Sequence, residues 1–160
     1  TMAAFSAMLA GIVIFIRPKA SKFHRVVGYV YSISMALMLI TAFVTYNLTK
    51  SFNFLHILAI ASCPPLILGF SAAFTRRRGW LPRHYKWMCY SYIGLCDAFV
   101  AEVSTRFLMP YLFNHFGLRS MAPFWIVVGA CAFGVVVVGE YFVQRNVSLV
   151  AKFHDRTFTV

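Results

Sequence analysis

A chain of 160 residues that is 61% hydrophobic and 12% charged, with a mean hydropathy of +0.74, is too apolar for a water-soluble domain of its size. Its formal net charge of +11 would suggest nucleic acid in a soluble protein, but the cations stand at the ends of apolar runs and form no basic stripe. The composition therefore argues for a membrane protein, against nucleic acid as a partner, and for anionic lipid headgroups as one.

Residues 2–16 form an apolar, Ala- and Gly-rich segment, slightly short of the roughly 20 residues that a spanning helix needs. With Thr1 as the first residue, the beginning of this first span is expected to be missing or to lie near the interface. Arg17-Pro18 ends the segment, since proline turns the residue before it away from helix. A basic linker with Arg17, Lys19, Lys22 and Arg25 leads into a second span over 24–48. A third, over 52–74, contains Cys63-Pro64-Pro65, which predicts a kink. The Arg76, Arg77, Arg78 cluster and the following Gly79 make the next turn, with Arg83 and Lys86 close behind.

A fourth span over 84–112 carries Asp97, Glu102 and Arg106. Residues 113–120 read as a loop, Pro123 suits the first turn of a fifth span over 121–142, and 144–160 reads as an interfacial or extramembrane tail. The fold class expected is all-α: an up-and-down transmembrane bundle of about five spans. The basic linker, the arginine turn and the tail fall on one side, expected to be cytoplasmic, matrix or stromal. The turns near Lys50 and Arg119 fall on the other.

Two elements carry a resemblance. His24, Arg25, Gly28 and Tyr31 form a His-Arg-x-x-Gly-x-x-Tyr stretch, and His84, Trp87 and Met88 a His-x-x-Trp-Met stretch. In this order they resemble a widespread family of multi-span membrane proteins of unknown function, over most of residues 7–110. The resemblance implies fold and topology, not chemistry. By looser analogy the chain is similar to cytochrome b561-type four-helix cores, in which opposed histidines hold haem.

Three groups of residues are candidates for function. His24 and His84 begin spans that run in the same direction, so their rings share a depth near the basic side and are candidate ligands of haem b or of a metal whose identity is unknown. Lys22, Arg25, Arg83 and Lys86 would suit haem propionates. The bland alternative makes both histidines interfacial residues at helix ends. His56 and His115 form a second, poorly placed pair, and His154 lies in the tail.

Glu102 and Arg106 have the i,i+4 spacing of an ion pair, expected to face inward, while Asp97 points to nearly the opposite side. Together the three are candidates for a proton or ion pathway. The basic residues Arg17, Lys19, Lys22, Arg25, Arg76, Arg77, Arg78, Arg83 and Lys86 are candidates for lipid headgroups. Tyr29, Tyr31, Trp80, Trp87, Tyr90 and Tyr92 suggest an aromatic belt. Gly28, Gly129 and Gly134 suggest close helix packing. Cys63, Cys89, Cys96 and Cys131 read as small buried residues, with no disulfide expected.

No phosphate loop, dinucleotide fingerprint, zinc-protease helix or nucleophile elbow is present in the sequence, which leans against an enzyme. The leading expectation is a non-catalytic accessory or structural subunit that meets lipid and other membrane subunits. A b-type electron carrier is the first alternative and a small transporter the second.

Overall fold

A computed structural model describes residues 2–19, 21–49, 54–116 and 122–158. The regular structure among them is entirely helical, so the fold is all-α. The elements are α1 (Met2–Ile16), α2 (Lys22–Thr49), α3 (Phe54–Thr75), α4 (Trp80–Val103), a π-helical segment (Ser104–Leu108), α5 (Met109–Phe116) and α6 (Ala122–Phe158). Each of the five apolar segments expected from the sequence is helical. The Lys50 and Arg119 turns lie outside the described residues.

α1 packs on α2, α2 on α3, α3 on α4 and α4 back on α1, which closes a four-helix ring. α6 lies outside it, against α4. The contacts give the directions. Phe5 meets Phe99 while Tyr92 meets Gly11, Met88 meets Gly69 while Gly94 meets Ser62, and Ile93 meets Gly139 while Ala101 packs with Val128. As α4 runs forward each of these partners runs backward, so α4 is antiparallel to α1, α3 and α6.

Short connections alternate the remaining neighbours, leaving α2 and α4 parallel across the diagonal. Tyr31, 2% exposed, reaches across the core from α2 to Ser91 of α4, 0% exposed, in a hydrogen bond of 2.9 Å. Met35, Leu39 and Leu95 pack around them, with Ala7, Ala10, Ala59 and Leu66 from the other walls.

What lets α4 stand in the middle is a set of glycines. A Cβ on Gly69 would lie 2.7 Å from the Met88 sulfur and 3.0 Å from the Met88 backbone nitrogen. One on Gly94 would meet the Ser62 hydroxyl at 2.7 Å, and one on Gly139 the Ile93 side chain at 2.5 Å. The Tyr92 ring fills the corresponding space at Gly11. Such notches let backbones approach closely where apolar chains alone give no preference between lipid and protein. Gly28, Gly129 and Gly134, expected to pack helices, have nothing in that space.

The outer surface is apolar. Leu9, Ile33, Ile40, Ile67, Ile126 and Phe133 are all exposed. Scattered exposed apolar residues are ordinary, but a whole helical surface of them suits lipid.

The basic turns are closed by their own residues. Ser21 caps α2, its hydroxyl accepting from the His24 backbone N–H at 3.0 Å. The Lys19 ammonium donates to the Phe15 carbonyl at 2.7 Å, satisfying an open acceptor at the end of α1. Between α3 and α4, Arg76 (φ 44°) and Gly79 (φ 70°) adopt left-handed backbone, unusual for an arginine and easy for a glycine. Arg83 fastens that turn by donating to the Gly79 and Arg78 carbonyls, while the Arg76 guanidinium lies over the Trp80 ring, 5.7 Å from its centre.

Several boundaries differ from the sequence reading. α4 starts at Trp80, so His84 lies a full turn inside the helix and not at its tip. Residues 113–116, read as loop, are helical. The helix begun by the fifth span does not end near residue 142; α6 runs unbroken for 37 residues to Phe158, about 55 Å against the roughly 30 Å of a hydrocarbon core, so the expected tail continues it as helix. The π segment has a cause in Pro110, which has no N–H to offer the Arg106 carbonyl and whose ring would crowd it. The ladder widens there, and the Met109 N–H reaches back to the Ser104 carbonyl. α3 remains helical through Pro64 and Pro65.

Candidate functional site

The diagonal hydrogen bond sets the register of the two histidines. His24 precedes Tyr31 by seven residues and His84 precedes Ser91 by seven, so each ring sits about two turns before the bond on nearly the same helix face. The parallel helices therefore carry both imidazoles at one level of the bundle's basic end. They interact electrostatically, and Lys19 also acts on His24.

His84 Nδ1 lies 2.8 Å from the Gly69 carbonyl. A carbonyl only accepts, so Nδ1 carries a proton, and in the neutral ring Nε2 keeps its lone pair. His24 Nδ1 is buried without a hydrogen-bond partner. The Trp80 ring lies 6.4 Å from that of His84.

Ligand chemistry here has two nitrogen donors at most. Among the described residues no three of His, Cys, Asp and Glu gather as a protein-only metal site needs. A haem, whose iron takes two axial ligands, matches the donor count. The space is less suited to it, because Val27 and Met88 pack against the core below the rings and the Tyr31 bond to Ser91 closes the bundle two turns down. His115 stacks on Tyr111, centroids 4.4 Å apart. The side chains of His56 and His154 lie outside the described residues, and the pairing of His56 with His115 with them.

The charges of the fourth span separate into two places. Arg106 Nε donates to Glu102 Oε1 at 2.5 Å, so the i,i+4 pair forms. It is not the inward-facing pair expected, since the two side chains are 65% and 42% exposed. At 1.5 Å per residue Glu102 lies about 33 Å beyond Trp80, the full depth of a hydrocarbon layer away from the basic end. An outward ion pair is tolerable at such a level.

Asp97 is the buried charge, 6% exposed, with Oδ1 lacking any hydrogen bond. It sits one turn from Ile93, which meets Gly139, and one turn from Ala101, which packs with Val128, and so faces the α4–α6 seam. The Tyr31 hydroxyl of α2 is on the other side of α4, where it meets Ser91.

Tyr31 leaves the aromatic belt for the core because it shares the inward face of His24. Tyr92 likewise turns to α1, its hydroxyl 3.3 Å from the Met8 sulfur. Trp87 and Tyr90, 5.9 Å apart, keep the belt position. Lys86 lies 5.8 Å over the Tyr90 ring, and Glu140 of α6 accepts from the Tyr90 hydroxyl and, at 2.5 Å, from Gln144. This cross-helix cluster was missed from sequence. Lys86 and Tyr90 are one turn apart on α4, but Glu140 stands far from them in sequence, and only the antiparallel register of α4 and α6 joins it to them.

The four cysteines are free thiols, Cys89 buried and Cys131 exposed. Exposed Arg77, Arg78, Lys22 and Arg25 point their charge away from the core, whereas Arg17, over the Phe23 ring at 5.9 Å, joins Lys19, Arg76 and Arg83 in local structural contacts.

The sequence matches the family described as "Predicted membrane protein (DUF2306)" over residues 1–143. The chain belongs to this family. The match extends past residue 110, where the sequence resemblance was expected to stop, and takes in α6 as far as Val143. No curated protein and no solved structure matches the chain. Two helices of this family member, over Lys22–Val44 and Trp125–Phe153, are long and apolar enough to cross a membrane. Family and helices together establish membrane association. α4, with Arg83, Lys86, Asp97 and Glu102, is too polar to meet the same criterion and owes its position to its neighbours.

Proposed function

We propose that this family member is a non-catalytic accessory subunit of a membrane complex, its helices crossing the bilayer five times with the arginine turn, the Arg17–Arg25 linker and the C-terminus on the cytoplasmic, matrix or stromal side. The observation that carries the reading is α6. This helix is the longest and has α4 as its one extensive neighbour among the described elements, leaving Trp125, Ile126, Phe133 and Val137 exposed. Gly129 and Gly134 open onto empty space. Small residues on a lipid-facing helix allow a second backbone to approach, and membrane helices associate through such contacts. The exposed cations at the basic end meet anionic headgroups in this reading.

Native electrophoresis of membranes solubilised in mild detergent tests it. The expected result is a discrete assembly well above the 18.1 kDa chain with other polypeptides in fixed ratio. Migration as a lone chain in every mild detergent overturns it.

A second reading, a b-type electron carrier, is favoured by one observation: two imidazoles at one level, one of them with Nε2 left as a lone pair by the Gly69 carbonyl. His24 and His84 would hold the iron, with the exposed Lys22 and Arg25 as the cations available to the propionates and Arg83 and Lys86, expected there from sequence, engaged elsewhere. Absorption spectra after haem-replete expression decide the matter. A Soret band lost in both His24→Ala and His84→Ala supports this reading, and no Soret band in the unsubstituted protein ends it.

A further inference from the structure

Along one face of α4, polar groups recur at helical spacing from the basic end to the far end. Lys86 and Tyr90 come first, joined there by Glu140 of α6. One turn on, Gly94 leaves room for the Ser62 hydroxyl of α3, which is 5% exposed. Asp97 follows, 6% exposed, and seven residues later Ser104, 8% exposed, at the start of the π segment. Residues 86, 90, 94, 97, 101 and 104 fall on one stripe at 3.6 residues per turn. From Tyr90 to Ser104 the rise is about 21 Å, most of a hydrocarbon thickness.

We propose that this file, with Asp97 as its one ionisable group in the interior, conducts protons between the two ends of the bundle. The idea needs the bundle to cross a membrane but not the accessory role, and haem has no part in it.

Buried carboxyls in membrane proteins stand on pathways more often than in structural positions, because they are costly there unless used or paired. Among the described residues Asp97 has no ion pair to explain its burial. Arg106, the cation nearest to it along α4, is bonded to Glu102 on the outside. The packing contacts that flank Asp97 about one turn to either side are Gly139 of α6 against Ile93 and Val128 of α6 against Ala101, which carry no charge, and Ser62 of α3 against Gly94, a hydroxyl able to donate and accept. Cys96, its chain neighbour, points toward Tyr92.

A single carboxyl flanked by hydroxyls can take a proton from one side and release it to the other. It offers no cage of oxygens for a bare sodium or calcium ion. In each step a proton leaves a donor oxygen and binds a carboxylate oxygen of Asp97, then departs toward Ser62 or Ser104, with no electron transferred. Transient water in the seam bridges the roughly 10 Å of rise on either side of Asp97. The pathway excludes Glu102 and Arg106, which the sequence reading had grouped with Asp97.

The test is proton influx into proteoliposomes holding a pH-sensitive dye, driven by a potassium gradient with valinomycin. The unsubstituted protein is expected to acidify the lumen well above empty vesicles. Asp97→Asn should lower the rate at least tenfold, Asp97→Glu should restore part of it, and Glu102→Gln should leave it unchanged. A rate equal to that of empty vesicles, a rate undiminished in Asp97→Asn, or a flux that requires sodium overturns the proposal. Should Asp97→Asn fail to fold, a hydrophobic carbodiimide on the unsubstituted protein gives the same answer. Labelling mapped to Asp97 with loss of flux supports the pathway, and flux that survives labelling, or no labelling at all, refutes it.

Discussion

α4 and α6 are both long helices of one bundle, yet among the described elements one is wrapped on several sides and the other packs extensively on a single partner. α4 meets Gly11, Gly69 and Gly139 on three different helices and has a glycine of its own, Gly94, against α3. α6 offers Gly139 to α4 and turns Gly129 and Gly134 outward. The same residue type thus performs different work on the two helices, and what separates the cases is whether another atom occupies the place where a Cβ would be. Apolarity does not make the distinction, since α6 is the more apolar helix and is the less buried.

The sharpest way to break this comparison is a branched side chain at each kind of glycine. Gly69→Val should have the largest effect, because part of the obstruction is the Met88 backbone nitrogen, which cannot rotate away. We expect a loss of roughly 1–3 kcal/mol, as for overpacked cores, visible as a lower midpoint of thermal unfolding in detergent. Gly134→Val should leave that midpoint unchanged. Equal effects at the two positions would mean that α4 is not held by close approach.

Next in size is the diagonal bond. Ser91→Ala leaves the Tyr31 hydroxyl buried without a partner, and Tyr31→Phe does the same to Ser91, each costing about 1–3 kcal/mol. The double substitution should cost less than the sum of the two, since no orphan remains. A purely additive result would place the two hydroxyls apart. Smaller again, and opposite in sign, is Asp97→Leu. Removing a buried carboxyl with an unbonded oxygen should stabilise the bundle by about 1 kcal/mol, read in the same thermal assay. Destabilisation would reveal that the carboxyl holds α4 to α6.

Much of this was legible in the chain itself. Apolar runs bounded by Arg17-Pro18 and by Arg76, Arg77 and Arg78 disclosed the helices and their alternation, because length and charge placement are properties of single segments. The equal level of His24 and His84 followed from the same alternation. What the chain did not disclose depends on pairs of segments. Which glycines meet a neighbour is decided by the rotation of each helix, and a weakly amphipathic, lipid-facing sequence does not announce that rotation. Tyr31 resembles any belt tyrosine until Ser91 is seen across from it. Pro110, by contrast, is a local cause of the widened turn before it, and the sequence reading passed over it.

The smallest effect is expected where the sequence reading placed the most charge. Arg106 and Glu102 were read as an inward pair, and an inward pair that loses one member leaves an uncompensated buried charge, a loss of several kcal/mol. The structure sets both side chains largely outside, at the end of α4 farthest from the basic turns. An exposed i,i+4 pair contributes about 0–1 kcal/mol and weakens as salt rises. Arg106→Ala should therefore shift the unfolding midpoint little at low salt and not at all at high salt. A large, salt-insensitive loss would return the pair to the interior and make α4 uniformly buried to its end, removing the contrast between its two kinds of charge.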